Sequence, residues 1–156
     1  MAYTHASWLK PLFNANDLQD IARMLANEIN EDKKNFRIDG IAIRGVSGSV
    51  IGGILSYLTD LPIVIVRKKE TKRHSSLRVE YLDEDMRRKT YRYVIVDDLI
   101  ASGKTVDIIV EDIGKEMRKK AILQKIYLYN DASRNTSSRY YLAGGKSVPV
   151  FSMVSA

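Results

Sequence analysis

Apolar positions recur along this chain with two different periods. Leu18, Ile21, Ala22, Leu25, Ala26 and Ile29 fall three or four residues apart, the spacing of one apolar stripe on a helix. Asn16 precedes the stripe, and Gln19 stands three positions after Asn16 as a capping-box partner, so the pattern predicts a helix opening at Asn16. The charged run from Glu31 to Arg37 reads as a break. Gly40-Ile-Ala-Ile43 is a short strand, Gly45 and Gly48 follow, and Val50, Ile51, Ile54, Leu55 and Leu58 form a second helical stripe. Past Leu61-Pro62, the uninterrupted β-branched run Ile63–Val66 has the character of a strand buried on both faces. Between Arg67 and Arg92 the pattern supports only a marginal strand around Leu77 to Tyr81 within a loop. Tyr93–Val96 is a further buried strand that ends in Asp97-Asp98. Ser102-Gly-Lys-Thr105 then opens a third helix with Val106, Ile109, Val110, Ile113 and Met117 on one face. Arg118, Lys119 and Lys120 sit at its C-terminus, where cations suit the helix dipole. Strand-like runs at Lys125–Tyr129 and Val148–Val154 complete the series.

Uniformly apolar strands alternating with helices predict an α/β fold, a parallel sheet with right-handed crossovers. Such sheets bind ligands beyond the carboxyl ends of their strands. No repeat or low-complexity linker divides the 156 residues, so a single Rossmann-like domain over residues 1–156 is expected. The composition is that of a globular chain, 45% hydrophobic and 28% charged, and with no cysteine it excludes disulfide frameworks and Cys-based metal sites. His5 and His74 are too few for a His-rich site. Residues 1–10 lack the basic start and apolar run of a signal peptide, and no apolar stretch approaches a membrane span. A cytoplasmic protein with no membrane partner is the expectation.

Net charge is +6, which calls for anionic partners. Between Arg67 and Arg92 ten Lys/Arg face five acids, an excess of +5, so one segment carries nearly all of it. A solvated loop face and an anion-binding face both fit that excess.

The stretch richest in chemistry is Tyr93-Val-Ile-Val-Asp-Asp-Leu-Ile-Ala-Ser-Gly-Lys-Thr105. A buried strand delivers two carboxylates to the ligand edge, and a turn of small and hydroxyl residues runs into a helix N-terminus. Free backbone N–H groups, hydroxyls and the positive end of a dipole suit a phosphate. Two carboxylates beside that phosphate make sense as acceptors for sugar hydroxyls or as groups positioning Mg²⁺. Together they read as a ribose-5-phosphate site. Gly103-Lys-Thr105 is not the end of a Walker A loop, because that motif needs a glycine where this chain has Asp98.

This stretch resembles the phosphoribosyl-pyrophosphate (PRPP) motif of type I phosphoribosyltransferases, and the resemblance extends in pattern over roughly Ile38 to Lys120. It implies that fold, with a small hood and a mobile lid over approximately residues 67–92. Asp97 and Asp98 would hold the ribose 2- and 3-hydroxyls, and Ala101, Ser102, Gly103, Lys104 and Thr105 would cradle the 5-phosphate. Gly40-Ile-Ala-Ile-Arg-Gly45 is similar to the family's first strand and pyrophosphate loop, which places Arg44 and Gly45 against the pyrophosphate; that loop often carries a non-proline cis peptide in this family. Arg67-Lys68 resembles the pair entering the lid and would neutralise the leaving pyrophosphate. The implied reaction is transfer of 5-phosphoribosyl to a nitrogenous base in nucleotide salvage, with Mg²⁺ held mainly through PRPP near Asp97 and Asp98 and with no direct metal site. A homodimer is implied as well.

For the acceptor, enzymes acting on 6-oxopurines usually place Asp where this chain has Ala101. Asp-Asp-Leu-Ile-Ala-Ser-Gly is more similar to the adenine enzymes, and Glu80-Tyr81 resembles their lid pair, with Glu80 catalytic near the purine. Against adenine, Ser7–Phe13 shows no recognisable hood pattern and the lid is short; orotate enzymes share the Arg-Lys lid start and stay open. Tyr127, Tyr129 and Phe151 are candidates to stack on the base. The second reading is a non-catalytic PRPP-sensing regulator that binds nucleic acid through residues 67–92, Arg87-Arg-Lys89 included. The absence of an aromatic-interleaved basic face weighs against nucleic acid.

Overall fold

The computed structural model describes residues 14–68, 78–80, 89–98, 100, 103–118, 120–129 and 138–153. Most of the expected lid, the Ser7–Phe13 segment, Tyr81, both histidines, and Ala101 and Ser102 lie outside these residues.

Among the described residues three helices flank one sheet: α1 (Ala15–Asn35), α2 (Gly45–Thr59) and α3 (Lys104–Glu116). The seven strands are β1 (Gly40–Arg44), β2 (Ile63–Val66), β3 (Val79–Glu80), β4 (Tyr91–Asp97), β5 (Ala121–Leu128), β6 (Arg139–Tyr141) and β7 (Ser147–Ser152). They lie in the order β3-β2-β1-β4-β5-β7-β6. The five central strands run parallel, while β3 and β6 pair antiparallel at the two edges. The parallel centre follows from the apolar runs. The β6–β7 hairpin was not anticipated, because Arg139-Tyr-Tyr141 is short and mostly exposed and lacks an apolar run.

Alternation along the strands sends side chains to two cores. Ile41, Ile43, Val94, Val96, Tyr127 and Tyr129 meet α1 and α2 on one face. Ala42, Val64, Val66, Tyr93, Ile95, Ile126 and Leu128 meet α3 on the other. Helix α2 sits close on β1: a Cβ on Gly48 or Gly52 would come within 2.8 Å of the Ile43 side chain. Ile63 and Ile65 are half-buried, so β2 is not covered equally on both faces as its sequence suggested.

Two further expectations need correction. Helix α1 opens at Asn14 instead of Asn16, because the Asn14 carboxamide accepts the N–H groups of Asn16 (3.0 Å) and Asp17 (3.4 Å). The charged run does not break the helix either. Asp32 accepts Lys125 Nζ at 2.7 Å and Tyr127 Oη at 2.5 Å, and Lys33 Nζ donates to the Thr59 carbonyl at 2.5 Å. These side chains fasten the last turns of α1 to β5 and α2, so their polarity serves tertiary docking.

Candidate phosphoribosyl site

Strand order reverses between β1 and β4, since β1 leads through α2 to β2 on one side and β4 leads through α3 to β5 on the other. The crevice at the carboxyl ends of two such strands is where open α/β sheets bind ligands. Here β1 ends in Arg44 and β4 in Asp97.

Asp97 and Asp98 are both 6% exposed, an unusual burial for adjacent carboxylates. Asp97 Oδ1 accepts the Asp98 backbone N–H at 2.9 Å and the Ser47 hydroxyl at 3.2 Å. Burial, then the neighbouring Asp98 charge, push the Asp97 carboxyl up to about 7, although the Asp98 N–H and Ser47 bonds oppose the rise. Tyr129 donates to the Ser47 carbonyl at 2.9 Å, which fixes the first turn of α2 against the end of β5. Burial and the two aspartates hold the Tyr129 hydroxyl well above its ordinary range. Sequence reading did not single out Ser47; its only signal was a hydroxyl two residues after Gly45, in the first turn of a helix.

Two helices start at this crevice, and neither closes its N-terminus with a side-chain cap. Helix α2 begins directly after β1, with Arg44 extended and Gly45 at φ 75. Helix α3 begins after Gly103 at φ 76, with Lys104 and Thr105 as its first residues. A side chain at either glycine would be strained in that left-handed conformation. The positive dipole ends of α2 and α3 flank the acid pair, and each helix start can take a phosphate. All peptide bonds among the described residues are trans, so the cis peptide expected near Arg44-Gly45 is absent; the sharp turn into α2 uses the positive φ of Gly45 instead.

Basic groups gather on the α2 side. Measured from the position a Cβ would occupy on Gly45, Lys68 Cε lies 3.1 Å away and Lys68 Nζ 3.4 Å. The Lys68 ammonium therefore lies over the start of α2. Arg44 Nε is buried and makes no hydrogen bond among the described residues. Arg67 is bound elsewhere: it forms an ion pair with Glu80 on β3, and its backbone N–H donates to the Arg78 carbonyl at 2.9 Å. Glu80 lies opposite Ile65 in a strand three places from β4, roughly 14 Å at normal strand spacing. Arg44, Gly45, Lys68, Asp97, Asp98 and Gly103–Thr105 therefore come to one edge, and Glu80 stays apart, neutralised by Arg67.

The aromatic candidates are placed in the core. Tyr127 is fully buried with its hydroxyl on Asp32, so neither ring face is open to a base. Tyr129 is 7% exposed and braces Ser47 from below the crevice. Phe151 is half-buried and packs at 6.1 Å, tilted, against Tyr127. Packing on the α1 face takes up all three rings. Among the described residues no cluster of three or more His, Cys, Asp or Glu is placed to hold a metal ion, and no helix is long and apolar enough to cross a membrane.

No family model matches the chain. It is similar to the adenine phosphoribosyltransferase of Pelagibacter ubique, 35% identical over 52% of this chain and 52% of that protein. It is also similar to the hypoxanthine/guanine phosphoribosyltransferase of Methanosphaerula palustris, 27% identical over 67% of this chain and 60% of that one. The chain thus aligns with between half and two-thirds of these relatives' length. A crystal structure of an adenine phosphoribosyltransferase superposes with a TM-score of 0.65 at 16% identity, covering 90% of this chain and 82% of that one. The sheet, with the acid pair at the end of β4, has the type I phosphoribosyltransferase fold, and the chain is similar in sequence to adenine and hypoxanthine/guanine phosphoribosyltransferases.

Proposed function

We propose that the chain transfers 5-phosphoribosyl from PRPP to a purine base, adenine in preference to hypoxanthine or guanine, and releases pyrophosphate. The observation that carries this reading is a buried carboxylate pair between two uncapped helix starts. PRPP has that same order of groups: a phosphate at one end, a pyrophosphate at the other, and sugar hydroxyls between. Asp97 and Asp98 accept the ribose hydroxyls, the start of α3 takes the 5-phosphate, and Arg44, Gly45 and Lys68 take the pyrophosphate.

During transfer the bond from the anomeric carbon to pyrophosphate breaks and a bond to the base nitrogen forms, while the base loses a proton. Negative charge develops on the leaving group, against Lys68, Arg44 and the N–H groups of α2. A magnesium ion would be held mostly by PRPP oxygens, with Asp97 or Asp98 as the carboxylates of this chain near enough to help position it. Bound there, magnesium supplies charge neutralisation for the departing pyrophosphate. Arg67 is shared in this scheme: a pyrophosphate competing for it releases Glu80, which is then free to approach the purine. Ala101 in place of an acid, together with Glu80-Tyr81, supports adenine. A homodimer belongs to the same reading.

Pyrophosphate release measured with PRPP and magnesium, against adenine, hypoxanthine, guanine, xanthine, orotate and uracil in turn, tests both parts. Turnover with adenine is expected. Turnover confined to hypoxanthine and guanine overturns the adenine preference. Silence with every base, accompanied by salt-sensitive nucleic-acid binding, overturns the enzymatic reading in favour of a regulator.

A further inference from the structure

Three buried residues close a ring of hydrogen bonds under the crevice. Ser47 lies in the first turn of α2, Asp97 ends β4, and Tyr129 directly follows β5. The Ser47 hydroxyl donates to Asp97 Oδ1 at 3.2 Å, and the Tyr129 hydroxyl donates to the Ser47 carbonyl at 2.9 Å. The Tyr129 backbone N–H completes the ring by donating to the Asp97 carbonyl at 3.3 Å. From this geometry we infer that Ser47 is a positioning residue for the sugar, orienting the Asp97 carboxylate toward the ribose hydroxyls. The inference rests on the function proposed above.

The argument starts from the freedom of a carboxylate. The last torsion of an aspartate is broad, so a carboxylate held by one donor still turns about its Cβ–Cγ bond. Asp97 Oδ1 takes two donors, the Asp98 N–H at 2.9 Å and the Ser47 hydroxyl. The Asp98 N–H belongs to the same strand end and moves with it. Ser47 belongs to a different element and refers Asp97 to the start of α2. Donors from two elements fix the plane of the carboxylate, and with it the direction of Oδ2. A hydrogen bond to an ionised acceptor is among the stronger ones, and burial strengthens it further.

Ser47 is itself held in place. Tyr129 fixes its carbonyl, and the following residue, Gly48, packs so close to Ile43 that the first turn of α2 has no room to slide on β1. The nearby Ser49 behaves differently. Exposed on the same helix, it turns its hydroxyl back to the Gly45 carbonyl at 2.8 Å, the local bond usual for a helical serine. The Ser47 hydroxyl instead reaches a residue 50 positions away.

Ser47→Ala removes the hydroxyl and leaves a good helix former. Titration calorimetry with ribose 5-phosphate, and separately with inorganic phosphate, distinguishes the sugar from the phosphate, because only the first ligand brings sugar hydroxyls to Asp97. The dissociation constant of ribose 5-phosphate should rise about five- to tenfold, the scale of one hydrogen bond. That of inorganic phosphate should stay within about twofold, which also reports that the variant is folded. A merely structural role for Ser47 would weaken both ligands alike. Equal weakening of both, or of neither, overturns the assignment and leaves the proposed function standing. A wild-type protein that binds ribose 5-phosphate no better than inorganic phosphate overturns the proposed function, and this assignment with it.

Discussion

Helix α1 and the pair α2 and α3 begin in opposite ways. Asn14 closes α1 with its own carboxamide, and Asp17 adds a negative charge to the first turn. Helices α2 and α3 begin at left-handed glycines at the sheet edge, and among the described residues no side chain caps them. The same four orphan N–H groups exist at all three starts. In α1 the Asn14 carboxamide takes two of them; at α2 and α3 the N-cap residues Arg44 and Gly103 take none with a side chain, and two buried carboxylates lie between these starts. An uncapped helix start is a deficit for folding and a resource for binding anions, and here both such starts lie at the point where strand order reverses.

The largest effect expected from this comparison concerns the acid between the open starts. Asp97 is raised from its ordinary 3.8 to about 7, facing Asp98, the Ser47 hydroxyl of α2 and the end of β5 at Tyr129. Between those values the folded chain binds more protons at this site than the unfolded chain does. By linkage, the stability from Asp97 is fully present below about pH 4 and is lost as pH rises through about 7. The ligand-free protein, in chelator and without phosphate, should therefore melt several degrees higher at pH 5 than at pH 8 through this group, given the usual slope of melting temperature with stability. Asp97→Asn should flatten that difference. Parallel melting curves for the two proteins across this range would show that the open helix starts offset the burial of Asp97.

Next in size is Gly45→Ala, which strikes the start of α2. A Cβ there is strained at φ 75 and meets Lys68. The strain amounts to about 1–2 kcal/mol, and displacement of the ammonium should weaken magnesium pyrophosphate about tenfold, the scale of one charge-assisted contact. Ribose 5-phosphate should bind as before. If Gly45→Ala weakened ribose 5-phosphate more than pyrophosphate, the division of the crevice into two phosphate ends would be wrong.

Much of this architecture can be read from residues alone, and the exceptions share one cause. The runs at Ile63–Val66 and Tyr93–Val96 identify themselves because a parallel centre demands apolar side chains on both faces. Asp97-Asp98 identify themselves because such a strand has no other reason to end in two acids. Ser47 and the docking of Asp32 on Lys125 and Tyr127 stayed hidden. Each depends on a partner 50 to 95 residues away, and neither lies in a periodic pattern. Charge in the Glu31–Arg37 run looked like a break because isolated charges usually face solvent; here Lys125, only 14% exposed, supplies the countercharge. The aromatic candidates are placed by a different rule. Tyr127 and Phe151 sit on the face that α1 covers, and strand alternation, more than side-chain chemistry, decided where they point.

The smallest effect is the control that gives the comparison its meaning. Asn14→Ala removes the side-chain cap of α1, the only one at a helix start among the described residues, and should cost about 1 kcal/mol, or about 2–4 °C in melting temperature for a chain of this size. It should leave ribose 5-phosphate and pyrophosphate binding unchanged, because the start of α1 plays no part in the crevice. Adding a cap where none exists makes the converse case. If every helix start were merely structural, Asn14→Ala and Gly45→Ala would differ only in how far they lower the melting temperature. A loss of stability without loss of anion binding at Asn14, set beside a loss of pyrophosphate binding at Gly45, distinguishes an N-terminus that the chain caps from one that it leaves to a ligand.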